Sequence, residues 1–309
     1  MKKVNILLSI YNPNLSYLEK QLRSLDNQTY ENMNIIIFDD CVEKRCNRSI
    51  FEKCLKRKEY YFLPYKEKNM GYVKAFEYLV KKSDGEYVAF CDQDDIWAQN
   101  KIENCIACLE EENSVLVVTD RKLIDENDKI FCESVKHTSK QPQDNWGSND
   151  DIGVRNFFTA CAPGMCMVAL GDFARSILPF PEYTGHDKWI LECACVCGGI
   201  SYLDEPLTYY RRYGANVTGI LSGINSKKDY EEQRIIPHLK LIKEFNKRYP
   251  GYSGINKALE FGNARLNHNP IILLKNYSIA PNLVKFEIAM VLLPECVFKL
   301  LIQILQRHK

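Results

Sequence analysis

Three carboxylates within four positions, Asp92, Asp94 and Asp95 in Phe90-Cys91-Asp92-Gln93-Asp94-Asp95-Ile96-Trp97, are the sharpest chemical feature of the chain. Like charges this crowded repel and cost stability unless something offsets them. A divalent cation carrying a diphosphate would do so, because hard oxygen ligands suit Mg2+ or Mn2+. A solvated acidic turn capping the next helix is the plain alternative, and for a lone Asp-x-Asp it is the stronger one. The flanks shift the weighing, since an apolar run precedes the cluster and an aromatic residue follows it. Asp39-Asp40 directly follow Ile35–Phe38, and suit either a turn cap or polar recognition of a base or ribose. Ser9-Ile10-Tyr11-Asn12-Pro13-Asn14 close a first apolar run, as a β-to-α turn or as a third polar cluster at a strand end. Further on, His186-Asp187-Lys188-Trp189 opens a helical stretch after Thr184-Gly185. A carboxylate there can cap the helix or act as a base. The helix dipole weakens it as a base, and burial against Trp189 would offset that. Arg211 and Arg212 end a tyrosine-rich run, where guanidinium groups could clamp diphosphate oxygens or stand as exposed strand charges.

The elements that must carry these residues alternate. Short apolar runs at Val4–Ser9, Asn34–Phe38, Tyr60–Leu63, Glu86–Cys91 and Val115–Thr119 have strand length. Between them, Leu15–Asn27, Ser49–Lys58, Gly71–Lys82 and Gln99–Glu112 have helical spacing. Such alternation implies a parallel sheet with helices on both faces, which binds ligands at the carboxyl ends of its strands. Helices near Ile152–Phe157 and over His186–Cys197 follow. Strands are expected at Ile200–Leu203 and Leu207–Arg212, then helices from Asn225 onward. The polar stretch Gln141–Asp151 reads as a mobile lid over the site.

With 309 residues there is room for one large α/β domain with additions, and 46% hydrophobic content indicates a folded protein. A net charge of +1 gives no global reason to bind nucleic acid. The 13 cysteines show no regular framework. Cys105 and Cys108 form a CxxC inside a predicted helix, and with Cys193, Cys195 and Cys197 they read as core thiols before zinc ligands. The N-terminus lacks a cleavage signal, and no stretch has the roughly 20 apolar residues of a membrane span. The expectation is a cytoplasmic protein.

Taken together, SIYNPN, FDD, NMGYVKAF, FCDQDDIW, GHDKWI and YLDEPLTYYRRYGANVTG resemble the family 2 glycosyltransferases of inverting GT-A fold, with greatest similarity to a bacterial rhamnosyltransferase-like branch. The resemblance covers roughly residues 2 to 219. It implies an α/β GT-A fold with a mostly parallel central sheet: a nucleotide-sugar half over 1–120, an acceptor half over 121–219, and a helical region over 220–309. It implies that Ser9, Tyr11 and Asp39 line the nucleoside pocket, with Asn69, Gly71 and Lys74 beside the nucleotide. Asp92 would face the ribose or sugar, Asp94 the Mn2+ or Mg2+ ion, and Asp187 would be the catalytic base. Many relatives carry His where this chain has Tyr213, so no metal ligand is assigned there. The implied partners are a dTDP- or UDP-linked sugar and a glycan or lipid-linked glycan acceptor. A non-catalytic sugar-nucleotide binding module or scaffold is the rival reading; a nucleotidyltransferase is disfavoured because SIYNPNLSYLEK lacks a glycine-rich basic loop.

Toward the end, Leu283, Phe286, Met290, Leu293, Val297, Leu300 and Ile304 recur at spacings of three and four, interrupted by Pro294. This seam suits core packing, a second copy of the chain, or peripheral contact with the inner face of a membrane, aided by Lys299, Arg307, His308 and Lys309.

Overall fold

The computed structural model describes residues 1–148, 150–213, 221 and 223–307. The expected boundary at 219/220, the Gly214–Gly219 part of the last block, and His308 and Lys309 lie outside the described residues. The chain divides into two compact units: residues 1–150 with 162–212, and residues 151–161 with 213–309.

The first unit alternates as the apolar runs require: β1 (Val4–Ile10), α1 (Leu15–Asp26), β2 (Met33–Asp39), α2 (Ser49–Cys54), β3 (Glu59–Phe62), α3 (Gly71–Lys82), β4 (Tyr87–Cys91), β5 (Ile96–Trp97), α4 (Lys101–Glu112), β6 (Leu116–Ile124), β7 (Ile130–Cys132) and α5 (Val135–Thr138). In the second unit α6 (Gly153–Asn156) intervenes, and the first resumes with β8 (Met167–Leu170), α7 (Gly171–Ser176), α8 (His186–Cys197) and β9 (Ile200–Arg211). Among the described residues, nine strands form one sheet ordered β3-β2-β1-β4-β8-β6-β9-β5, with β7 on β6. β1 pairs in parallel with β2 and β4, β2 with β3, and β6 with β9. β8, β5 and β7 run antiparallel to their neighbours. The fold is therefore mixed α/β, a mostly parallel curled sheet flanked by helices.

β1 and β4 are buried along nearly their whole length, the mark of strands covered on both faces. Leu18, Leu22 and Leu25 of α1 and Ile102, Cys105 and Leu109 of α4 pack with Ile6, Leu8, Ile35 and Ile37 in one core cluster. Cys105 and Cys108 are part of that core, as packing thiols. Asn14 caps α1, its Oδ1 accepting the N–H groups of Ser16 at 3.0 Å and Tyr17 at 3.4 Å.

The second unit is helical: α6, then α9 (Lys227–Tyr230), α10 (Ile236–Arg248), α11 (Ile255–Leu266), α12 (Pro270–Lys275), α13 (Pro281–Leu292) and α14 (Glu295–Arg307). Its core holds a buried ion pair. Arg265 Nε donates to Glu287 Oε1 at 2.7 Å, and the Tyr230 hydroxyl donates to the same oxygen at 2.7 Å. Pro294 separates α13 from α14, as a residue without an N–H should.

Candidate active site

The ends of β1, β2 and β4 stand level. Ile10 pairs with Asp39, and Leu8 pairs with both Ile37 and Cys91. The loops leaving them are laced together. Gln93 Oε1 accepts the Tyr11 N–H at 2.8 Å while Gln93 Nε2 donates to the Tyr11 carbonyl at 3.2 Å. Asp40 accepts the Met70 N–H at 2.8 Å and the Gly71 N–H at 2.8 Å, so a carboxylate fastens the start of α3 to the end of β2. Burial raises the Asp40 carboxyl above its usual range, against the two backbone donors. Asn69 Oδ1 also takes the Gly71 N–H, at 2.6 Å. Gly71 has φ +74°, a conformation that disfavours any side chain.

The acidic loop lies between β4 and β5. Burial, then the charges of Asp94 and Asp187, push the Asp92 carboxyl up to about 7. Burial, then Asp94 and Asp92, hold the fully buried Asp95 well above its usual range. Two buried cations stand behind the loop. Lys101 spans from α4 to the Met165 carbonyl and to Thr208 Oγ1, at 2.9 Å from the latter, with its ammonium over the Trp97 ring. Arg211 is 0% exposed. Its N–H donates to Asp95 Oδ1 at 3.0 Å and its Nε to the Asp94 carbonyl at 2.8 Å. Arg211 is thus neither an exposed strand charge nor an open diphosphate clamp; the guanidinium is turned into the protein, behind the carboxylates.

α8 brings the third component. Asp187 sits in its first turn and accepts the Lys188 N–H at 2.8 Å, so capping is part of its work. His186, its neighbour, is enclosed by aromatic rings and stacks on Phe76 with centroids 4.1 Å apart. Phe90 and Tyr72 close the cage at 5.6 Å and 6.0 Å. Among the described residues neither ring nitrogen of His186 has a hydrogen-bond partner, and burial lowers the imidazole to about 4. Trp189 points inward, its Nε1 donating to the Ile177 carbonyl at 2.9 Å. Tyr72, from α3, feels both Asp187 and Asp92; burial first, then these charges, raise its phenol.

The remaining assigned residues are placed as follows. Ser9 is half-buried near the end of β1, and Tyr11 is exposed just beyond it. Asp39 is 1% exposed and accepts N–H groups from Cys41 at 3.0 Å and Cys46 at 2.8 Å, stapling the loop after β2. Each oxygen keeps a second lone pair. Lys74 is turned toward Glu77 at 2.9 Å and Glu182 at 3.5 Å. Gln93 and Tyr72 lie inside FCDQDDIW and NMGYVKAF, and Lys101 opens α4, but residue type and spacing give none of the three a contact in the sequence. The lid expectation does not fit Gln141–Ser148. Trp146 is buried against Tyr202, Arg121 pairs with Asp144 at 3.0 Å, and Ser148 Oγ accepts the Tyr202 N–H at 2.8 Å.

Residues 6–162 match Glycosyl transferase family 2. The chain belongs to this family. An uncharacterized glycosyltransferase of Rickettsia bellii is 30% identical over 222 residues, 70% of this chain and 30% of that protein. One from a Nostoc species is 25% identical over 238 residues, 75% of this chain and 71% of the other. The Bacillus subtilis protein named for teichuronic acid biosynthesis, TuaG, is 29% identical over 121 residues, covering 39% of this chain and 47% of its own. Among solved structures, S. aureus TarS 1-349 in complex with UDP-GlcNAc superposes with a TM-score of 0.57 at 18% identity, over 91% of this chain and 82% of that one. The superposition supports the GT-A-like fold of this family 2 chain. Within it, the matched segment carries the acidic loop, while α8 and Asp187 lie beyond the match.

Proposed function

We propose that this family 2 chain is an inverting glycosyltransferase, moving a hexose or deoxyhexose, rhamnose among them, from a dTDP- or UDP-linked donor to a hydroxyl of a surface polysaccharide or lipid-linked oligosaccharide. The observation that carries the reading is convergence: Asp92 and Asp94 from the end of β4 and Asp187 from α8 share one electrostatic field. That crowding suits a cation, and Asp94, half-exposed at the front of the loop, is the residue that would hold Mn2+ or Mg2+ together with the donor diphosphate. When bound, the ion neutralises charge developing on the leaving diphosphate.

The chain's own groups do the rest. Ser9, Tyr11 and Asp39 receive the nucleoside, with Asn69 and Gly71 beside it. Asp92 orients the ribose or sugar. Asp187 accepts the proton of the acceptor hydroxyl as that oxygen attacks the anomeric carbon from the face opposite the leaving group. Work at the inner face of a cell membrane, with 283–309 as contact to lipid or a second copy, accords with a lipid-linked acceptor.

Asp187→Asn tests the reading. Transfer should fall about 10²–10⁴-fold while the nucleoside diphosphate binds as before. Near-normal turnover would refute the base. Donor binding without turnover in the unaltered chain, across a screen of nucleotide sugars, would favour a binding module instead.

A further inference from the structure

We propose that Arg211 is a positioning residue for the cation-holding carboxylate: its guanidinium fastens the Asp92–Asp95 loop from the protein side and joins it to the turn between β6 and β7. The inference rests on the metal-dependent reading above. Five contacts carry it. The backbone N–H of Arg211 reaches Asp95 Oδ1 at 3.0 Å. Nε reaches the Asp94 carbonyl at 2.8 Å. Nη1 reaches the Asp125 carbonyl at 3.0 Å and Asp128 Oδ1 at 2.6 Å. The flat of the guanidinium lies over Tyr17, 4.2 Å from the ring centroid. Asp128 also pairs with Lys20 of α1 and adopts φ +67° at the tip of the turn.

The chemistry of the residue explains the arrangement. A guanidinium is a flat fork of fixed donors and holds several acceptors in one plane; an ammonium cannot. The guanidinium ties the Asp94 carbonyl to the Asp125 carbonyl and the Asp128 carboxylate, while the Arg211 backbone N–H holds Asp95 whatever the side chain; through the Asp94 backbone, the guanidinium fixes which way the Asp94 side chain leaves the loop. Without it, the carboxylates of the loop would be freer to splay under mutual repulsion. Groups that orient a metal-binding residue without touching the metal matter to affinity about 10–100-fold.

The test is Mn2+ affinity, read by electron paramagnetic resonance of unbound Mn2+ with UDP or dTDP present. Melting curves are taken in parallel. In Arg211→Lys, the Mn2+ dissociation constant should rise at least about tenfold in folded protein. Asp128→Asn removes the charge facing the buried guanidinium but keeps an acceptor oxygen and leaves Arg211 in place; a smaller rise in the dissociation constant than in Arg211→Lys is expected, read in folded protein. Unchanged Mn2+ affinity in folded Arg211→Lys, whatever its melting temperature, would overturn the inference and leave the metal reading intact. If Arg211→Lys does not fold, Asp128→Asn decides, and unchanged affinity there overturns it. An unaltered chain that binds no Mn2+ with either nucleotide would overturn the metal reading and the inference with it.

Discussion

A Cβ built on Gly185 would lie 2.3 Å from Asp187 Oδ1, although the backbone of Gly185, at φ −66° and ψ 146°, suits alanine. The obstacle is the far end of a movable carboxylate, so Gly185→Ala should fold and turn Asp187 aside. If Asp187 is the base proposed above, the expected result is a loss of transfer of about 100-fold, with melting nearly unchanged, because small misplacements of a reacting group carry that scale of cost. Steady-state rates beside a melting curve check it. Gly71 is the contrasting case. Nothing lies within 4 Å of its missing Cβ, but its φ of +74° disfavours a side chain. Gly71→Ala should cost about 1–3 kcal/mol of stability through the backbone alone. One glycine leaves room for the Asp187 carboxylate and the other permits a turn. Sequence alone separated neither role, because both depend on where the next side chain points.

At the scale of the element, α8 was legible to the residue: His186–Cys197 is the helix expected to open after Thr184-Gly185. β9 was not. The sequence suggests two strands about Pro206, a residue that usually interrupts a ladder. The structure has one strand through it, absorbing the proline with register shifts against β6 at Thr119–Arg121. Arg211, the last residue of that strand, is fully buried, which spacing in the sequence cannot reveal. β5 has only two residues, too few for any periodicity to register. The His186 cage on α8 yields a pH test. Its imidazole, ordinarily near 6.5, is lowered to about 4 by burial, so the unfolded chain binds a proton that the folded chain refuses between those values. Its contribution is intact above pH 6.5 and is lost as pH falls toward 4. Between pH 7 and 5 this amounts to about 2 kcal/mol. Asp92 has the opposite sign, since a carboxyl pushed up to about 7 favours the folded chain in acid and less so as pH rises through 7. The two slopes offset each other in the parent, so the difference between His186→Phe and parent is the quantity to measure. That difference should move about 2 kcal/mol in favour of the variant from pH 7 to pH 5. A constant difference would mean the imidazole charges freely inside the cage.

Over the whole molecule, the C-terminal seam resolves into two faces. Met290, Phe298 and Ile302 are buried with Ile224, Tyr230, Ile235 and Leu239, while Val297, Leu300 and Ile304 are exposed, Leu300 to 57%. Among the described residues no helix is long and apolar enough to cross a membrane. Removing residues 283–309 would therefore not isolate association from folding. It would strip Glu287 from the buried Arg265, and an unpaired buried charge costs about 3–5 kcal/mol. Side-chain changes on each face separate the two. Phe298→Ala should lower stability by about 3–5 kcal/mol, as expected for a fully buried aromatic. Leu300→Gln combined with Ile304→Gln should leave melting within about 0.5 kcal/mol, because both positions face water. If the outer stripe is the membrane contact proposed above, the same double variant should sediment with anionic vesicles at least about tenfold less than the parent. Each apolar side chain withheld from lipid forfeits about 1.5–3 kcal/mol. Equal sedimentation would remove the stripe from any membrane role. A fall in native mass in the variant alone would instead assign the stripe to a second copy of the chain.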